Sequence, residues 1–130
     1  APGGGAILID PFYGPVSSLV HTYLLSEGFD KHASGWTTKT EGAMYGANQA
    51  LSFVVFVRDR KLFSENFEQL ELIHQKQLMN GLRYFLSGGL NFRMFVPGFL
   101  EKPLIWCEML LSPLAPLLAL HHIIVLRRRL

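Results

Sequence analysis

At 130 residues the chain is sized for one folding unit, since domains run to roughly 100 to 200 residues. Hydrophobic residues make up 49% and charged residues only 17%, which excludes a wholly disordered chain and sits badly with a monomeric soluble enzyme. Twelve Lys and Arg against ten Asp and Glu leave a net charge of +2, too small a basic footprint for a phosphate backbone, so nucleic acid is not an expected partner.

Residues 1–15 read as a flexible arm. APGGG is too rich in Gly and Pro for regular structure, a short apolar run covers 6–9, and Asp10, Pro11 and Gly14 mark a turn. The GGG run lacks the strand-turn-helix setting of a phosphate loop. A start at Ala1 fits either a removed targeting peptide or methionine excision. Pro15 then opens an amphipathic helix over 16–28, with Val16, Leu19, Val20, Tyr23 and Leu24 on one face and Ser18, His21 and Ser26 on the other. Gly28 ends it, and 29–37, with Gly35 and Trp36, reads as a loop.

Thr38 followed by Glu41 is a capping box before the apolar run 42–57, so the spacing predicts a helix over 38–57 that stops at Arg58. Gly42, Gly46 and Ala50 recur every four residues and form a small face where a second helix could pack closely. Asn48 and Gln49 favour burial of this helix in an assembly. After the charged run Arg58, Asp59, Arg60, Lys61, residues 64–87 mix Glu65, Glu68, Glu71 and Arg83 with Phe67, Leu70, Ile73, Leu78 and Leu82, predicting a charged amphipathic helix that Gly88 and Gly89 stop. Residues 90–100 form an aromatic loop around Phe92, Phe95 and Phe99.

The segment 104–126 is mostly apolar and closes on Arg127, Arg128 and Arg129. As one helix it would cover about 34 Å, enough for a hydrocarbon core of about 30 Å, with kinks at Pro113 and Pro116. The expected fold class is therefore mainly α and membrane-associated, with two embedded segments, 38–57 and 104–126, joined by a charged amphipathic helix. Two spans put the central basic residues and the terminal arginines on opposite faces, against the positive-inside rule. One non-spanning segment, a re-entrant C-terminal segment, or partner subunits would each resolve the conflict.

No catalytic signature stands out, and no cofactor or metal is expected. His121 and His122 are adjacent and would diverge on a helix, His21, His32 and His74 are scattered, and Ser17 and Ser18 lack a nucleophile-elbow setting. Cys107, the single cysteine, excludes an intrachain disulfide and has no basic neighbour, so it reads as a buried inert thiol. Glu108 is an acid inside the predicted transmembrane helix and needs protonation or a basic partner. Arg58, Arg60 and Lys61, like Arg127, Arg128 and Arg129, form compact basic flanks suited to anionic phospholipid headgroups or to setting topology.

In organisation, the stretch 42–80, a small-faced helix joined to a charged one, resembles small membrane subunits of ATP synthase, and the whole resembles supernumerary subunits of mitochondrial respiratory complexes. That resemblance implies a non-catalytic accessory subunit supporting assembly of an energy-transducing complex in the mitochondrial inner membrane, with chloroplast and bacterial membranes as the other locations and other subunits as partners. Two alternatives stand beside it: a peripheral lipid-binding or membrane-shaping protein, and a small membrane enzyme or proton-transfer component using Glu108.

Overall fold

The computed structural model describes residues 3–24, 28–37, 48–88 and 97–129. They form a small α/β fold around a three-stranded antiparallel sheet ordered β1-β3-β2. The strands are β1 (Gly5–Pro11), β2 (Leu70–Leu78) and β3 (His121–Arg128). Central β3 pairs with β1 from Gly5↔Arg127 to Pro11↔His121 and with β2 from Leu70↔Arg128 to Leu78↔His121, with a bulge between Leu72 and His74. Glycine is required where β1 starts: a Cβ on Gly5 would lie 2.5 Å from the Leu126 carbonyl oxygen. The expected flexible arm over 1–15 is thus replaced, from Gly5 on, by an edge strand.

The predicted kinked transmembrane helix over 104–126 is four elements. It divides into α5 (Glu101–Leu110), a 3-10 turn (Ser112–Leu114), α6 (Ala115–Leu118) and β3. Pro113 has no N–H to give the Met109 carbonyl, so α5 ends before it, while Pro116 sits in the first turn of α6, where no donor is needed. Ala119 then turns extended (φ −63, ψ 136), and the β-branched run Ile123, Ile124, Val125 suits a pleated strand.

Of the other expected membrane segment, residues 38–47, with Gly42 and Gly46, lie outside the described residues. Its described end holds only a short helix, α2 (Leu51–Phe53), running into a π-helical turn (Val54–Arg58). Among the described residues no helix is long and apolar enough to cross a membrane. This overturns the mainly α, two-segment membrane architecture, and with it the transmembrane assignment and the inner-membrane location.

The single helix expected over 64–87 also gives way, to α3 (Arg60–Asn66), β2 and α4 (Gly81–Leu86). In the first helical segment, α1 (Pro15–Leu19) continues as a π-helical turn (Val20–Leu24). Its buried residues are Ser17, Val20 and His21; of the expected apolar face Val16 and Val20 pack inward while Leu19, Tyr23 and Leu24 are exposed, so the packed face is rotated toward Ser17 and His21. Ser17 fixes that choice by donating to the Leu120 carbonyl at 3.3 Å. Of the aromatic loop, 90–96 lies outside the described residues, and Gly98–Leu100 is a 3-10 turn.

One face of the sheet carries the main core. Ile124 and Leu126 of β3 pack with Phe56 and Phe63, and Leu8, Leu70, Leu72 and Trp36 close around them. A smaller cluster joins Val20 to Leu120, backed by Val16, Tyr84 and Phe85. Burying two such patches gives the driving force for folding, at about 25 cal/mol per Å² of apolar area.

Candidate functional site

The covered face of the sheet turns polar at one end. Asp10 on β1 lies opposite His122 on β3, which in turn lies opposite Gln77 on β2. Side chains alternate along a strand, so His122 points to the same face as Ile124 and Leu126, into the layer where α2 packs. His122 is only 1% exposed, yet both ring nitrogens have partners. Nε2 lies 2.8 Å from Ser52 Oγ on α2, and Nδ1 lies 3.4 Å from Gln75 Nε2 on β2.

The directions of these bonds follow from counting protons. A serine hydroxyl has one, and Ser52 Oγ donates to the Pro11 carbonyl at 3.3 Å. His122 Nε2–H then donates to Ser52, and Nδ1 accepts from the Gln75 amide. The chain of bonds ties α2 to all three strands. Burial, reinforced by neighbouring His121, lowers the His122 pKa to about 4, so the ring is neutral at pH 7 as the bonding requires.

A serine beside a histidine also begins nucleophilic machinery, in which the ring must take the hydroxyl proton. Here that proton is directed at a carbonyl, the ring is the donor, and an amide stands where a carboxylate would orient the imidazole. Ser52–His122 is a clamp between layers.

Beside the clamp, at the carboxyl end of β1, lies a cleft of about 270 Å³ lined by Asp10, Pro11, Gln49, Ser52, Val55 and Phe56. Asp10 is half-buried, and among the described residues no group donates a hydrogen bond to its carboxylate. Desolvation raises its pKa above the ordinary aspartate value. Asn48, also on the cleft wall, accepts from the Asp30 and Ala50 N–H groups and donates one of its two Nδ2–H groups to the Asp30 carbonyl.

The residues singled out in the sequence are spread over the fold. Ala50 is fully buried just before α2. Arg58 donates to Asp59 and to the Lys31 and Ala33 carbonyls at 2.7 and 2.9 Å, stapling the 28–37 loop. Hydrogen bonds from Arg58 and from the Trp36 indole hold the Asp59 pKa at about 2. Arg60 is exposed, and Lys61 faces Glu65 at 3.8 Å. Arg127 pairs with Glu71 at 2.8 Å and lowers its pKa, while Arg128 and Arg129 are exposed at the end of β3. Glu108 is buried on α5 against Arg83 of α4.

His121 faces away from His122, toward Asn80 at 3.3 Å and the edge of Tyr84. Among the described residues no cluster of His, Cys, Asp or Glu could hold a metal ion. Cys107, expected buried, is exposed. Sequence reasoning missed the Ser52–His122 contact because 70 positions separate the two residues and neither sits in a local motif. The chain matches no family model, no curated protein and no solved structure.

Proposed function

We propose that the chain is a non-catalytic accessory unit that assembles with protein partners. The observation that carries this reading is the inverted polarity of α5. In its C-terminal half the acid, Glu108, is 2% exposed, whereas Trp106, Met109 and Leu110 are 74%, 65% and 82% exposed; only the first turn keeps its charges, Glu101 and Lys102, in water. Those three fall at i, i+3 and i+4, which is one stripe of a helix. Phe99, Leu114 and Leu117 are exposed on the neighbouring turns. A helix half that turns an acid inward and a tryptophan outward has its apolar surface available to another protein, and large exposed apolar patches mark such contacts.

The uncovered face of the sheet supports the same reading. Ile7 and Ile9 on β1 are 67% and 60% exposed, beside half-buried Ile123 and Val125 of β3. Strands that are apolar on both faces belong to sheets covered on both sides. The bonding of Ser52 and His122, which leaves neither free to act on a substrate, supports the non-catalytic part.

The test is site-specific photo-crosslinking from a benzophenone side chain at Trp106, in cells making the full chain, with exposed Glu68 as the control position. Discrete adducts from Trp106 and none from Glu68 are expected. Identical patterns from both positions, or no adduct at all, would sink the reading.

A further inference from the structure

We propose that the cleft at the carboxyl end of β1 binds a small organic ammonium ion, a primary amine carried on an apolar body. Asp10 is the anchor. Its carboxylate is half withdrawn from water at the end of a strand, and no described group compensates its charge by donating to it. A carboxylate so placed loses hydration without gaining a partner, which costs free energy until a donor arrives. An ammonium supplies both the donor and the opposite charge, making a charge-assisted bond of the stronger kind.

The remaining walls define the rest of the ligand. Gln49 lines the cleft and donates its backbone N–H to the Gly28 carbonyl, and among the described residues no hydrogen bond engages its side-chain amide. Ser52 Oγ spends its proton on Pro11, so toward the cleft it can offer only a lone pair. These acceptors suit the remaining protons of a primary ammonium. Pro11, Leu51, Val55 and Phe56 supply an apolar surface, and a volume of about 270 Å³ is close to the lower range of small-ligand pockets. An anion would meet Asp10 head-on, and a neutral alcohol would leave the charge uncompensated. The site is independent of the α5 stripe, so it can hold or fail separately from the accessory role.

The experiment titrates the full chain with phenethylamine, phenethyl alcohol and hydrocinnamate, following the Gln49 side-chain amide by NMR and the melting temperature. Saturable binding of phenethylamine, with the alcohol weaker by about tenfold and the acid silent, is the expected order. Asp10→Asn should weaken the amine by about tenfold and leave the alcohol unchanged. Val55→Phe, which fills the cleft without touching the charge, should weaken amine and alcohol alike, and serves if Asp10→Asn does not fold. The proposal is overturned if no amine saturates the site up to about 10 mM, if alcohol and amine bind equally, or if neither variant weakens the amine.

Discussion

The carboxylate of Glu108 on α5 meets Arg83 on α4 twice: one oxygen accepts the Arg83 backbone N–H at 3.0 Å, and the other accepts the guanidinium Nε–H. α4 begins at Gly81, so the Arg83 N–H is one of the first-turn donors its own helix cannot satisfy. Glu108 is therefore a cap supplied from a neighbouring helix as well as an ion-pair partner. Glu108→Gln keeps an acceptor for that N–H and should cost under about 1 kcal/mol, whereas Glu108→Leu strands the donor and should cost about 1 to 3 kcal/mol in urea unfolding. The Arg83 side chain is 43% exposed, so its charge regains water when the acid is removed, which keeps the loss below that of a fully buried pair. Equal losses from the two substitutions would show that charge, and not capping, dominates.

His122 gives the fold a pH dependence. It titrates near 4 when folded and near 6.5 when unfolded, so between those values the unfolded chain binds more protons. Stability is whole above pH 6.5 and falls as pH drops toward 4, by about 3 kcal/mol in total. His121, lowered by burial and by His21, adds a loss of the same sign. Asp10, raised by burial, works in the opposite direction, because its protonation favours the folded chain. Denaturant midpoints from pH 7 to pH 4.5 should fall in the native chain and flatten in His122→Gln. An unchanged slope in that variant would place the titrating group elsewhere.

The sequence marks local punctuation well and layer assignment poorly. Pro15 opens α1, and the apolar run over 42–57 does stop where Arg58 closes the π-helical turn. It singles out Glu108 as an acid that needs protonation, an exit to the interface or a partner subunit's base, whereas the fold pairs it within the chain with Arg83, 25 positions away in another helix. The strands were hidden because β1 and β3 carry apolar residues on both faces, which removes the alternation that identifies a half-buried strand. Two signals within 104–126 point away from one long helix: the paired prolines 113 and 116, and three consecutive β-branched residues in 123–125. In β2 the bulge at Leu72/His74 shifts the register, so Leu70, Ile73 and Leu78 mimic helical spacing along a strand. The clamp and the cleft are properties of the sheet register, which no local motif records.

The α5 stripe should be dispensable to the fold. Trp106→Lys and Leu110→Glu replace side chains that are largely in water, so each should change unfolding free energy by less than about 0.5 kcal/mol. Both should abolish the crosslinked adduct expected at the α5 face, as read from a neighbouring benzophenone position at Met109. A loss of stability above about 1 kcal/mol from either change would mean that the stripe packs within the chain itself.

The register of β3 makes the sharpest prediction about the fold, because neighbouring residues of nearly the same chemistry should behave differently. Ile124 is fully buried against Phe56 and Phe63, and truncation to Ala should cost about 2 to 4 kcal/mol. Ile123 lies on the other face, only half-buried beside Ile9, and the same truncation should cost under about 1.5 kcal/mol. Leu126 should follow Ile124, and Val125 should follow Ile123, giving losses that alternate with a period of two along the strand. A helix through this segment would instead group the costly positions at spacings of three and four. Urea unfolding of the four alanine variants decides between them, and costs for Ile123 and Ile124 within error of each other would contradict the strand assignment.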